Sequence, residues 1–312
     1  MLEEASATAL NLREIRCFTG ETMKILGVES VVYGVEDVAT GRKYFDDWGL
    51  PSVESGTSGA DYRLPSGQSI RVRAAGDANL PRAVEGGSTA REIVWGVDEP
   101  GMLEKLAADL GRDREVKRDP DGTLHTTDAL GWGIAFKTAS SPDIGRNGGG
   151  RAGNRLNHPL DPPRRARPQR LGHVVFNVPR DKSELAATFY ADRLQFRFSD
   201  RSRGFGDFLR APGSNEHHNL FFLHSDRAMF NHVAFEVSGF DEIIFGGKHM
   251  EGCGWKADTR PGRHILGSNL FWYFKNPCGG KTEYYADMDV MDDNWKTRVW
   301  DKHPGFAMWM MD

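Results

Sequence analysis

The chain has 312 residues, enough for about two domains at roughly 150 residues each. Lys and Arg number 40 against 44 Asp and Glu, a formal net charge of −4, which excludes a strongly basic protein and a global footprint for nucleic acid. A content of 39% hydrophobic and 11% aromatic residues excludes wholesale disorder, and a mean hydropathy of −0.53 with no run of about 18 apolar residues excludes a transmembrane helix.

The first twenty residues carry acidic groups early and no continuous apolar stretch, so no secretory signal is expected and a cytoplasmic location is. Three cysteines, Cys17, Cys253 and Cys278, are too few and too far apart for a disulfide framework, and no CxxC pair marks a thiolate zinc site. Gly is 36 of 312, above the usual ~7%, which points to many turns and to strands more than long helices.

Residues 28–35 read as a strand, followed by an amphipathic stretch with paired aromatics at 43–50. A second strand at 92–97 precedes an acidic, helix-like stretch at 100–110. Residues 139–170 are rich in Gly, Pro and Arg with few large apolar residues, and read as a solvated linker. Beyond it the pattern returns: a strand at 173–178, an aromatic-bearing stretch at 188–195, a strand at 232–237 and a helix-like stretch at 241–250. The chain is thus four similar units, two on each side of the linker.

Alternation of side chains gives the faces. Val174, Phe176 and Val178 share the apolar face of one strand, and Val233, Phe235 and Val237 that of its counterpart. His173 and His232 then occupy matching positions on the opposite faces, directed into one cup if the units form one sheet. A third strand at 281–286 places Glu283 on one face with Lys281 and Tyr285. A glutamate among aromatics is costly unless it is paired with a proton or a metal. Two imidazoles and one carboxylate, His173, His232 and Glu283, make a facial triad with open positions for an octahedral Fe(II). Aligning the repeats puts Ser30 opposite His173 and Glu92 opposite His232, and no carboxylate in 130–136 opposite Glu283. One metal per chain is expected, in the second half.

The run Gly262-Arg263-His264, then Tyr273, Asn276, Pro277, Gly279 and Glu283, resembles the signature of type I extradiol ring-cleavage dioxygenases. Those belong to the vicinal oxygen chelate (glyoxalase/bleomycin resistance/dioxygenase) superfamily. The resemblance also takes in His173, the His217-His218 pair and His232, and its modular pattern covers roughly residues 25–290. It implies an α+β fold of four βαβββ modules paired into two domains, each an open mixed β-barrel-like cup with helices outside. The expected division is an N-terminal domain without metal at 1–138, the linker at 139–170, a catalytic metal-binding domain at 171–288, and a Trp/Met-rich tail at 289–312 that wraps the domain and caps the site mouth.

The resemblance further implies cleavage of a catechol-type aromatic diol by O₂ beside its hydroxyls, at Fe(II) held by His173, His232 and Glu283, with Mn(II) as the alternative metal. His218, fourteen residues before His232, is the candidate acid/base, and His217 the competing assignment; in a strand the two would face opposite ways. His264 and Tyr273 look like the pair beside the substrate hydroxyls. Arg298, in the tail, is a candidate holder of an anionic substrate group. The other histidines, His303 among them, read as surface or structural. The expected partners are a small aromatic diol, O₂ and further copies of the chain in a homo-oligomer, with neither nucleic acid nor membrane. Competing readings are a hydroquinone-cleaving dioxygenase with the same triad, a glyoxalase-like lyase or isomerase that uses a divalent metal without O₂, and a metal-free binding protein.

Overall fold

A computed structural model describes residues 24–140, 157 and 164–312. The N-terminal stretch with Cys17, and most of the linker, lie outside the described residues. Four βαβββ modules follow one another. The first is β1 (Ile25–Val35), α1 (Val38–Trp48), β2 (Ser52–Ser55), β3 (Gly59–Arg63) and β4 (Ser69–Ala74). The second is β5 (Thr89–Val97), α2 (Pro100–Leu110), β6 (Lys117–Arg118), β7 (Leu124–Thr127) and β8 (Gly133–Thr138). The third is β9 (Arg170–Pro179), α3 (Ser183–Thr188), β10 (Arg197–Ser202), β11 (Gly206–Arg210) and β12 (Leu220–Ser225). The fourth is β13 (Met229–Glu236), α4 (Phe240–Gly252), β14 (Gly262–His264), β15 (Leu270–Lys275) and β16 (Lys281–Ala286). The tail adds β17 (Arg298–Trp300) and β18 (Ala307–Met310).

Modules pair within each half into mixed sheets. The first sheet runs β2-β3-β4-β1-β5-β8-β7-β6, and the second repeats that order as β10-β11-β12-β9-β13-β16-β15-β14, with β17 and β18 added at its two ends. The alternation in the sequence explains which face is covered: Val174, Phe176, Val178, Val233, Phe235 and Val237 all lie in the main core beneath the helices. His173 and His232 lie on the other face. In the third module the helix starts at Ser183 and runs into a π-helical turn at Phe189–Arg193, so the aromatics near 188–195 sit at its end.

The two halves share one core. Asp37 caps α1 by accepting from the Thr40 N–H at 3.0 Å, and Gly49 ends it in the left-handed region at φ 98°. A side chain at Gly49 would also meet the Ala166 carbonyl, so this turn needs glycine twice over. The buried face of α1 carries Tyr44, Phe45 and Trp48 across to the second half. Trp48 stacks on Tyr284 with centroids 3.6 Å apart, and the Tyr44 hydroxyl bonds Thr282. Residues read as linker are part of the fold: Ala166 is fully buried beside Gly49 at this seam, and Arg170 is ion-paired within the second half with Glu216 and Glu236. Among the described residues no helix is long and apolar enough to cross a membrane.

Candidate metal centre

Seven strands of the second sheet, β9 and β11 to β16, contribute side chains to one cavity, which requires the sheet to curve around it. Its volume is about 740 Å³ with the open mouth included. One wall is apolar, with Val175, Phe208, Phe221, Leu223 and Leu266. The other gathers His173, His218, His232, His264, Asn269 and Tyr273.

Three of the expected residues converge at the bottom. β13 pairs antiparallel with β9, with His232 opposite Val175, and parallel with β16, with Ala234 opposite Glu283. This register brings His173 Nε2 to 3.0 Å from Glu283 Oε2, His232 Nε2 to 3.2 Å from the same oxygen, and the two imidazole nitrogens to 3.4 Å from each other. Donors at right angles on a divalent metal, at about 2.1 Å each, stand about 3.0 Å apart. The donor set and its spacing therefore fit one octahedral ion bound on a single face. All three side chains are buried. Gly172 lets β9 approach closely enough, since a Cβ there would stand 2.0 Å from the Tyr285 hydroxyl oxygen.

The protonation states suit a metal. Burial holds the His232 imidazole down to about 4 despite Glu283 beside it, so the ring is neutral near pH 7. Asn177 takes the Asn231 amide N–H at 2.6 Å, which leaves Asn231 Oδ1 to accept from His232 Nδ1–H at 2.8 Å and bares Nε2. Burial alone would raise the Glu283 carboxyl, but the two imidazoles outweigh it and keep the group ionised. Asn269 Nδ2 donates to the other Glu283 oxygen at 3.0 Å. Asn269 is absent from the resemblance, and no local pattern in the sequence marks it.

His264 and Tyr273 meet above the triad. His264 Nδ1 donates to the Phe306 carbonyl at 2.9 Å, so its Nε2 accepts from the Tyr273 hydroxyl at 2.9 Å. The tail thus shapes the site, and Gly305, Phe306 and His303 line the cavity. His303, read from sequence as surface or structural, belongs to the cavity wall, stacked on Phe205 at 3.6 Å.

Two expectations need correction. His217 and His218 do not lie in a strand; they occupy the loop before β12, where their Nδ1 atoms meet at 3.0 Å. His218 lines the cavity, its ring 4.2 Å from that of His173, whereas His217 is wholly buried behind it. Arg298 is not among the lining residues: its guanidinium lies on Asp200, at 2.8 and 2.7 Å.

In the first half, the register puts Ala135 opposite Val94, where Glu283 stands opposite Ala234 in the second. Glu92, the counterpart of His232, bonds His125 at 2.9 Å, and Ser30, the counterpart of His173, accepts from Ser69 at 2.9 Å. Val32, Val94 and Ala135 form an apolar cluster with Leu80 on that face.

A curved sheet of paired βαβββ modules around two histidines and a glutamate defines a class of metal-binding domain. Residues 170–284 match the family model of the Glyoxalase/Bleomycin resistance protein/Dioxygenase superfamily. Over 174 residues the chain is 36% identical to metapyrocatechase 2 of Cupriavidus necator, a match covering 55% of this chain and about half, 52%, of that protein's length. Two solved structures share the fold at low identity. The Mn(II)-bound glyoxalase from Novosphingobium aromaticivorans is 23% identical with a TM-score of 0.72, over 92% of this chain and 91% of that one. Homoprotocatechuate 2,3-dioxygenase from Arthrobacter globiformis is 17% identical with a TM-score of 0.69, over 90% and 86%.

Proposed function

We propose that this protein is an extradiol dioxygenase that cleaves a catechol-type ring beside its two hydroxyls. Both atoms of O₂ enter the product, one ring carbon–carbon bond breaks, and a ring-opened semialdehyde or keto acid results. The carrying observation is the joint placement, in one largely apolar cavity, of the His173–His232–Glu283 triad with His218, His264 and Tyr273. A glyoxalase-like isomerase does not need His218 and Tyr273 beside its metal ligands. The name of the Cupriavidus necator relative, metapyrocatechase 2, agrees with this reading.

His173, His232 and Glu283 would hold Fe(II), with Mn(II) accepting the same donors, and the bound metal supplies the redox chemistry that O₂ requires. The single carboxylate leaves a divalent ion with a net positive charge, which favours an anionic diol oxygen. His218 reaches the cavity with one free ring nitrogen and serves as base for a substrate hydroxyl, then as acid. The Tyr273 hydroxyl donates to His264 at 2.9 Å, which leaves its oxygen to accept from a substrate hydroxyl. Phe208, Phe221 and Val175 give the ring an apolar wall that excludes water. The first domain, with Ala135 where the second has Glu283, serves as a structural copy.

The test is anaerobic loading with Fe(II), then O₂ uptake against a panel of catechols and hydroquinones. Uptake with a catechol and a coloured ring-opened product is the expected result. Uptake confined to hydroquinones, or metal-dependent turnover without O₂, would overturn the proposal.

A further inference from the structure

Behind His218 stands a row of buried groups that the reading above does not use. His217 Nδ1 lies 3.0 Å from His218 Nδ1, and His217 Nε2 lies 2.7 Å from Asp200 Oδ2. Asp200 and His217 are both fully buried. The Asp200 carboxylate takes three further donors from the tail: Arg298 Nε at 2.8 Å, Arg298 Nη2 at 2.7 Å and Trp300 Nε1 at 2.6 Å. Strand pairing sets this up, because β17 runs parallel to β10 with Arg298 opposite Asp200 and Trp300 opposite Ser202.

Hydrogen-bond roles follow one from another along this row. Burial alone would raise the Asp200 carboxyl, but its donors hold it below its ordinary value, so it is ionised and can only accept. His217 Nε2 must then carry the hydrogen. A neutral His217 is left with a bare Nδ1, which accepts from His218 Nδ1–H. The one nitrogen that His218 has left for the cavity is Nε2, and it is bare. The opposite tautomer of His218 would set lone pair against lone pair at 3.0 Å. When His218 gains a proton, the added hydrogen goes on Nε2 and the bond to His217 is kept. The ring can thus take up and return a proton without turning.

We propose that Asp200 and His217 are positioning residues that lock His218 in its Nδ1–H tautomer, with Nε2 presented to the cavity as a base, and that β17 of the tail holds the lock in place. The tautomer follows from the hydrogen-bond geometry taken with an ionised Asp200 and a singly protonated His217; its catalytic use rests on the dioxygenase reading. A carboxylate that sets the tautomer of an imidazole is a known device, and an amide in its place presents a donor and reverses the ring.

The test has two arms. The first reads tautomers directly, by long-range ¹H–¹⁵N spectra of the full chain labelled with ¹⁵N-histidine and loaded with Zn(II), His218 being assigned by loss of its signals in His218→Asn. His218 protonated at Nδ1 and His217 at Nε2 is the expected pattern, reversed in Asp200→Asn. A wild-type His218 that carries its hydrogen on Nε2, or an unchanged pattern in Asp200→Asn, overturns the proposal. The second arm compares His217→Leu with His217→Asn, whose Oδ1 stands near the position of Nδ1 and accepts from His218. His217→Leu is expected to lose about ten- to a hundredfold in kcat for catechol with KM within about threefold, and His217→Asn to recover most of it. Equal losses in both variants would reduce His217 to packing and overturn the proposal. If the wild type consumes no O₂ with any diol, the dioxygenase reading fails, while the first arm still decides the tautomer.

Discussion

Asn269→Leu removes one hydrogen bond from the metal centre and little else. The side chains share a branching pattern, Asn269 is 1% exposed, and its Nδ2 donates at 3.0 Å to the Glu283 oxygen that His173 and His232 do not touch. A hydrogen bond to a charged, buried acceptor contributes about 1.5–3 kcal/mol. At about 1.4 kcal/mol per decade this is about a 10- to 150-fold loss in affinity. Partners of metal ligands elsewhere give a similar figure, about 10- to 100-fold, because they fix the direction of the ligand. The assay is a competition titration of the metal-free protein with Fe(II) against a chromophoric chelator under nitrogen, with thermal unfolding as a check on the fold. A dissociation constant within threefold of wild type, in a variant that melts normally, would refute the view that Asn269 orients Glu283.

Alanine at His173, His232 or Glu283 should each abolish retention of iron through gel filtration, and full occupancy in any one variant would remove that residue from the donor set. Asp128→Asn should change how stability depends on pH. Burial raises the Asp128 carboxyl from 3.8 to about 6 against four hydrogen bonds that lower it, so its contribution is present below about pH 4 and lost as pH rises through 6. Two pH units at about 1.4 kcal/mol each make this close to 3 kcal/mol. The variant should therefore melt above wild type by a margin that grows between pH 4.5 and 7.5, and a constant margin would contradict the argument. Trp48→Ala should cost about 3–5 kcal/mol in denaturant unfolding, since it empties a fully buried site and removes the stack on Tyr284 between the halves. A loss under about 1 kcal/mol would show that the seam contributes little.

Much of the centre was legible because it rests on local periodicity. His173 and His232 follow from alternation in strands whose other faces are plainly apolar, and Glu283 from a carboxylate in an aromatic strand. The partners of these residues were not legible, for physical reasons. Asn269 and the Phe306 carbonyl sit in loops, where no periodicity applies, Asp200 meets Arg298 only through the register of β17 on β10, and a backbone carbonyl has no signature at all. Asp200 left one local mark, an acidic residue inside a strand, where such residues are disfavoured. His217 and His218 were misread because alternation holds only within a strand, and the chain has not entered β12 when it passes them. Arg298 reads as a spare cation until β17 is seen to lie beside Asp200.

The tail occupies both ends of the second sheet, through β17 against β10 and β18 against β14, with strands of three and four residues. Val299, Met308 and Met310 on these strands are exposed, so little apolar burial holds them. Segments of this kind open by themselves at lower free energy than the core, and hydrogen exchange would register them as a separate, weakly protected unit. Opening of this unit takes the Phe306 carbonyl from His264 and three donors from Asp200 in one event. The arrangement of two histidines is therefore tied to two short edge strands that little apolar burial holds. Warming should silence the protein while its sheets still give their full circular dichroism, and cooling should restore it without refolding.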